Sequence, residues 1–234
     1  MNLDKGNDPH GPVLADIAAR VRDSEALVVG VTGGVAAGKS TFAAALAGEL
    51  GSIPVVATDG FLFSNDELAR RGLTARKGFP ESYDADALRR FLERFRASGQ
   101  ADAPVYSHLA YDVVPGSSVP VAGERVVVEG LHLAHPRLGV RALFDLVVHL
   151  DADDVDLERW YLERFRSLRA AAAEDPKAFL HPYRDMPAEV IEGMALDVWR
   201  DLNLVVLHDE VRPWASAADI VVHVDPDHTP NVRG

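Results

Sequence analysis

The sequence predicts an α/β fold, a parallel and doubly wound sheet with helices on both faces. Three observations predict it. Short, wholly apolar runs rich in β-branched residues recur along the chain, as expected of strands covered on both sides. Helical patterns separate these runs. A glycine-rich loop lies where the first run gives way to a helix.

Each element has its own signal. Residues 1–12, rich in Asn, Asp, Gly and Pro, have the composition of a frayed tail. VLADIAARV places Leu14, Ile17, Ala18 and Val21 at helical spacing. ALVVGVT is the first strand, a helix runs from Lys39 to about Leu50, and IPVVAT is the second strand. DADALRRFLERFRASG is an amphipathic helix, with Asp84 and Asp86 at its start, Leu88, Phe91, Leu92 and Phe95 on one face, and Gly99 after its end. TARKGFPESYD and APVYSHLAYDVVP have the composition of loops. ERVVVEGL, FDLVVHLD and ADIVVHV are further core strands, and helical patterns around 153–170 and 187–202 between the last two predict a helical lid. No repeat, low-complexity segment or linker interrupts the chain, which predicts one domain over 13–226 and a tail at 227–234.

Composition narrows the function. The net charge is −12 with no dense Lys/Arg block, so a nucleic-acid partner is not expected, because phosphates need a basic stripe. An anionic ligand must then be held locally, by backbone N–H groups and a few placed cations. The absence of cysteine excludes disulfides, thiolate zinc sites and thiol nucleophiles, and it fits a reducing cytoplasm. No apolar run has the length of a signal peptide or a membrane span, so a cytoplasmic protein with no membrane contact is expected.

Gly33 to Thr41, GGVAAGKST, matches G-x-x-x-x-G-K-[ST] between a strand and a helix, the P-loop of nucleotide-binding proteins. The glycines Gly33, Gly34 and Gly38, with Val35, Ala36 and Ala37 between them, let the backbone curl so that its N–H groups converge on phosphate oxygens. The N-terminus of the following helix, at Lys39, Ser40 and Thr41, adds to the anion site. Lys39 can reach the β- and γ-phosphates of ATP, and the Ser40 hydroxyl can ligate Mg²⁺. The Asn-Lys-x-Asp that reads guanine is absent, and the chain lacks the size and coupling motifs of a motor. Transfer to a small-molecule acceptor fits better.

Phosphoryl transfer needs positioning, charge neutralisation and a group to receive the acceptor's proton. Asp59 stands at the end of the strand after the P-loop helix, at the sheet edge where ligands bind, and can orient and deprotonate an acceptor hydroxyl. The same Asp-Gly pair could simply close a turn. Glu129 ends another buried strand on that edge and can hold Mg²⁺ directly or through water. Arg159, Arg164, Arg166 and Arg169 lie on the helix after the fourth strand, and any one of them could reach the phosphates. Tyr106 and His108 could hydrogen-bond a small polar acceptor, or could simply be satisfied loop residues. His132, His135, His149 and His223 have no metal-ligand spacing and are read as structural.

VGVTGGVAAGKST, TDGFLF, RKGFPESYD, PVYSHLAYDVVP, VVVEGL, WYLERF and DPKAFLHPY follow one another as in bacterial type I pantothenate kinases of the phosphoribulokinase/uridine kinase group, which the chain resembles over about 27–224. The resemblance implies ATP- and Mg²⁺-dependent phosphorylation of pantothenate, towards coenzyme A, and a homodimer. It puts Asp59 on the catalytic base, Lys39 and Ser40 on the nucleotide and metal positions, and Arg164 on the lid arginine. Lys77 falls in the basic loop before the acceptor site, and Tyr106, His108, Tyr161 and Asn203 fall on substrate positions. The chain departs from that pattern in four places. The N-terminal extension is a short helix, Val206 and Glu210 replace asparagines, Leu168 replaces an aromatic residue, and FAAALA lacks a basic residue that helps bind coenzyme A. A nucleoside or sugar kinase of the same group is the alternative. A nucleotide-binding regulator without transfer activity is an alternative of another class.

Overall fold

The computed structural model describes residues 11–232. Most of the expected N-terminal tail lies outside the described residues, but Gly11 and Pro12 already belong to helix α1 (Gly11–Asp23). A six-stranded sheet forms the centre. It runs in the order β2 (Val55–Ala57), β5 (Val126–Gly130), β1 (Val28–Gly33), β6 (Leu146–Asp151), β7 (Ile220–Val224) and β8 (Pro230–Val232). The first five are parallel, and β8 adds antiparallel to β7. The segment expected as a tail from 227 therefore closes one sheet edge with a short strand, a common way to finish a parallel sheet.

Strand alternation divides the core between the two faces. Val29 and Val31 of β1, with Val148 and Leu150 of β6, pack with α1, α2 (Lys39–Glu49) and α5 (Asp154–Ala173). Val28, Val126, Val128 and Val147 pack on the other face against Leu88, Phe91, Leu92 and Phe95 of α4 (Ala85–Ser98). The Asp84 carboxylate caps α4 by accepting from the Ala87 N–H at 2.8 Å, and the left-handed Gly99 ends the helix.

Two expectations are corrected. APVYSHLAYDVVP is not a loop: β3 (Gln100–Ser107) and β4 (Asp112–Ala122) form an antiparallel hairpin with a register shift between Pro104 and Tyr106. Both strands of a two-stranded ribbon are edges, so Pro104, Pro115 and Pro120 are tolerated there. The second long helical pattern also does not stop at 202. After α6 (Ala188–Val198) the chain winds through a wide π turn at Trp199–Asn203 and another at Leu207–Val211, then a tight turn at Arg212–Ala217. A short helix α3 (Asn65–Arg70), capped by Ser64, sits between β2 and α4.

Candidate active site

The parallel register brings three strand ends together. Glu129 of β5 stands opposite Val31 of β1 and Ala57 of β2, so the segments leaving β1 and β2 emerge beside its carboxylate. The segment after β1 is the Gly33–Thr41 loop. It turns through Ala36 (φ 65°) and Gly38 (φ 79°). The left-handed region costs an alanine roughly 1–2 kcal/mol, strain of the kind that is held at ligand-binding turns. Helix α2 begins directly after Gly38 with no side-chain cap, which leaves the N–H groups of its first turn for an anion. The Ser40 hydroxyl donates to Glu129 Oε1 at 2.8 Å. A hydroxyl and a carboxylate at this spacing form the hard oxygen donor pair that Mg²⁺ prefers. The Lys39 ammonium donates to the Gly34 carbonyl at 2.7 Å. Desolvation pushes it below its ordinary pKa, the Glu129 and Asp59 carboxylates oppose that shift, and Arg164 adds to it.

The segment after β2 is a tight turn, Thr58–Phe61, which carries Asp59. Gly60 is required by a close approach: a Cβ there would lie 2.2 Å from the Pro104 carbonyl oxygen of β3. The hairpin is therefore pressed onto the Asp59 turn, and Tyr106, two residues past Pro104, faces the same space. The Asp59 carboxylate makes no hydrogen bond or ion pair among the described residues.

Asp59 lines a cavity of about 490 Å³. Every residue expected to contact the acceptor lines it too: Lys77, Tyr106, His108, Tyr161 and Asn203, together with Arg164. Lys77 is only 8% exposed and is held firmly, donating to Asn65 Oδ1 at 2.7 Å and to the Tyr111 carbonyl at 2.6 Å. Burial lowers its pKa, against the Asp112 and Asp59 carboxylates. Burial, then the Tyr111 phenol and the Asp59 carboxylate, raise the Tyr106 phenol far above its ordinary value. The Tyr161 phenol is pushed up to about 12, chiefly by burial, with the Asn203 side chain opposing the shift. Both tyrosines are neutral donors at pH 7.

Geometry also separates the four arginines of α5. Arg159 bonds Asp156 and the Pro226 carbonyl, Arg166 pairs with Glu192, and Arg169 bonds the Met186 and Arg184 carbonyls. Arg164 alone of the four lines the cavity, 3.5 Å from His108 Nδ1. The helical segment α5–α6 supplies the apolar wall, including Phe165, Leu168, Met194 and Val198. Of the departures noted in the sequence, Leu168 and Val206 line this wall, whereas Glu210 is drawn away to His135 Nε2 at 3.0 Å. No group of His, Asp and Glu side chains suited to a metal ion occurs among the described residues. His132 and His149 are buried with their pKa lowered to about 4, chiefly by desolvation.

Sequence reasoning passed over several lining residues. Tyr111 places its ring 4.0 Å from the Lys77 ammonium, and Tyr83 lines the same cavity as Asp59. Both tyrosines sit inside stretches already singled out, YSHLAYD and KGFPESYD, and aromatic residues at fixed places there were the available signal. The Tyr83 hydroxyl is buried without a hydrogen-bond partner among the described residues, and such a group costs about 1–3 kcal/mol.

A parallel sheet ending in a phosphate cradle, with a walled cavity for a second small molecule beside it, is the architecture of a P-loop kinase. Residues 28–177 match the phosphoribulokinase/uridine kinase family, and the chain belongs to that family. It is 41% identical over 230 residues to a pantothenate kinase of Leifsonia xyli subsp. xyli, covering 93% of this chain and 71% of that protein. It is 39% identical over 233 residues to a pantothenate kinase of Parvibaculum lavamentivorans, covering 92% and 72%. Among solved structures, D-glycerate 3-kinase from Cryptococcus neoformans superposes with a TM-score of 0.58 at 13% identity, covering 96% of this chain and 98% of that one, a likeness of fold. No described helix is long and apolar enough to cross a membrane.

Proposed function

We propose that this protein transfers the γ-phosphate of ATP to the primary hydroxyl of pantothenate. The observation that carries this reading is Asp59: a carboxylate with no hydrogen bond or ion pair among the described residues, on the wall of a cavity beside the phosphate loop. The kinship with proteins named pantothenate kinase supports the choice of acceptor over a nucleoside or sugar.

In this reading the Gly33–Thr41 backbone and the first turn of α2 hold the phosphates. Lys39 turns from the Gly34 carbonyl to the β- and γ-phosphates, where its ammonium offsets charge as it builds. Ser40 and Glu129 would hold Mg²⁺, which would supply neutralisation of the phosphate charge. Tyr106, His108, Tyr161 and Asn203 hydrogen-bond the acceptor, and Lys77 braces the loop that faces it. Asp59 accepts a hydrogen bond from the acceptor hydroxyl and takes its proton as the new O–P bond forms and the bond to the β-phosphate oxygen breaks, releasing ADP. Arg164, an exposed residue that lines the cavity, stabilises the charge on the transferring group.

Replacing Asp59 by Asn tests this directly. The substitution keeps the size and hydrogen-bonding capacity of the side chain but removes the basic oxygen. It should lower kcat by about 10²–10⁴-fold, while ATP binding measured by calorimetry stays near wild type. Wild-type kcat in that variant would remove Asp59 from the mechanism.

A further inference from the structure

Tyr83 is a buried group that the transfer mechanism does not use. It is 4% exposed, and its hydroxyl has no hydrogen-bond partner among the described residues. Its backbone is fixed to the Asp59 turn. Leu62 and Tyr83 form an antiparallel bridge, the Asp84 N–H donates to the Phe61 carbonyl at 2.8 Å, and the Phe63 N–H donates to the Ser82 carbonyl at 2.9 Å. The His132 ring stands edge-on to the phenol at 5.6 Å, and His132 Nε2 is in turn anchored to the Gly78 carbonyl at 2.7 Å. Asp59 and Tyr83 line the same cavity, so an unbonded acceptor and an unbonded donor are held on one small piece of backbone. The phenol also responds to this setting: burial raises its pKa first, and the Asp59 carboxylate is the largest charged contributor.

We propose that Tyr83 is a positioning residue for Asp59, its hydroxyl donating to one carboxylate oxygen in the loaded site while the other oxygen faces the acceptor hydroxyl. The partner is internal. Almost none of the hydroxyl's surface is open to water, which disfavours a solvent molecule as its partner, and the half-buried Asp59 lies on the same cavity wall. Among the described carboxylates around the cavity, Asp59 alone has both oxygens without a hydrogen-bond partner. Lys39, Lys77 and Arg164 are donors, Glu129 is engaged with Ser40, and Asp112 accepts from the Asn65 and Val113 N–H groups. Of the other phenols lining the cavity, Tyr106 and Tyr111 belong to the hairpin, and Tyr161 and Tyr183 to the helical segment that forms the apolar wall. A carboxylate held by one donor keeps a single rotamer, and a base within hydrogen-bond reach of its proton acts only in that geometry.

The proposal rests on Asp59 acting as the base, and a double-mutant cycle separates the two claims. Tyr83→Phe, Asp59→Ala and the double variant are compared by single-turnover phosphoryl transfer and by thermal unfolding without ligand. The expected result is a kcat about tenfold lower in Tyr83→Phe, KM for ATP and acceptor within about twofold of wild type, and an unfolding temperature equal or higher because an unpaired hydroxyl is gone. In the Asp59→Ala background the same change should alter the rate by less than about twofold, since no carboxylate remains to be positioned. An equal rate loss in both backgrounds, unchanged kcat in Tyr83→Phe, or a lower unfolding temperature would each overturn the positioning role. Wild-type kcat in Asp59→Ala would instead overturn the assignment of the base.

Discussion

The two halves of the candidate site are built in opposite ways. The nucleotide half is nine consecutive residues, Gly33–Thr41, plus Glu129 from a neighbouring strand. Its ligands are largely backbone groups, and its shape follows from glycines and a helix start. The acceptor half gathers Asp59, Lys77, Tyr106, Tyr161 and Asn203 from five separate segments of the chain. There the proposed contacts are side chains, and most of the wall is apolar. One half is a local motif that tolerates change elsewhere in the fold, whereas the other exists only once the hairpin, the α5–α6 segment and the sheet edge have packed together.

That contrast predicts different failures in the two halves. In the local half the effect should be large and confined to turnover. Lys39→Ala removes the one side-chain cation of the cradle and should lower kcat/KM by about 10²–10³-fold, with the unfolding temperature within a few degrees of wild type. Unchanged nucleotide binding and turnover together would contradict the cradle. A change at the joint between the halves should act on folding and acceptor together. Gly60→Ala drives a Cβ against the Pro104 carbonyl, and overpacking of this kind costs about 1–3 kcal/mol. Denaturant unfolding should register that loss, and KM for the acceptor should rise more than KM for ATP. Equal effects on both KM values would mean that the halves are not separable in this way.

The smallest effect is a pH dependence set beneath both halves by His132 and His149. Each is buried with its pKa lowered to about 4, so the unfolded state binds more protons than the folded state between about pH 6.5 and pH 4. Their contribution is complete above the unfolded pKa and falls as pH drops. Acidifying from pH 7 to pH 5.5 should withdraw roughly 1 kcal/mol per histidine. His149→Gln should remove its own share, flattening the slope of stability against pH in chemical denaturation. An unaltered slope would show that His149 titrates normally.

The same contrast explains what could be read from the sequence. The parallel sheet was legible because runs such as VVGVT and VVVEG are apolar on both faces, and only a covered strand has that pattern. Gly33–Thr41 was legible because the backbone geometry itself dictates the residue types. The β3–β4 hairpin was not: most of β4 is solvent-exposed, so no alternating pattern marks it, and its prolines and Gly116 carry the usual signals of a loop. The winding from Trp199 to Ala217 was missed past 202 because wide π turns break the helical period. Within the site, pattern alone left Asp59 balanced between a turn residue and a base and could not choose among four arginines. Packing places Asp59 on the cavity wall and ties Arg159, Arg166 and Arg169 to other partners.

The most direct test of the central claim is ADP release measured with purified protein, ATP and Mg²⁺ across pantothenate, uridine, cytidine and a set of sugars, with transfer to the acceptor verified by mass. The account predicts turnover with pantothenate at a kcat/KM well above that of any nucleoside or sugar. Rapid phosphorylation of another acceptor with none of pantothenate would contradict the choice of substrate, and ATP binding without transfer to any acceptor would contradict the kinase itself.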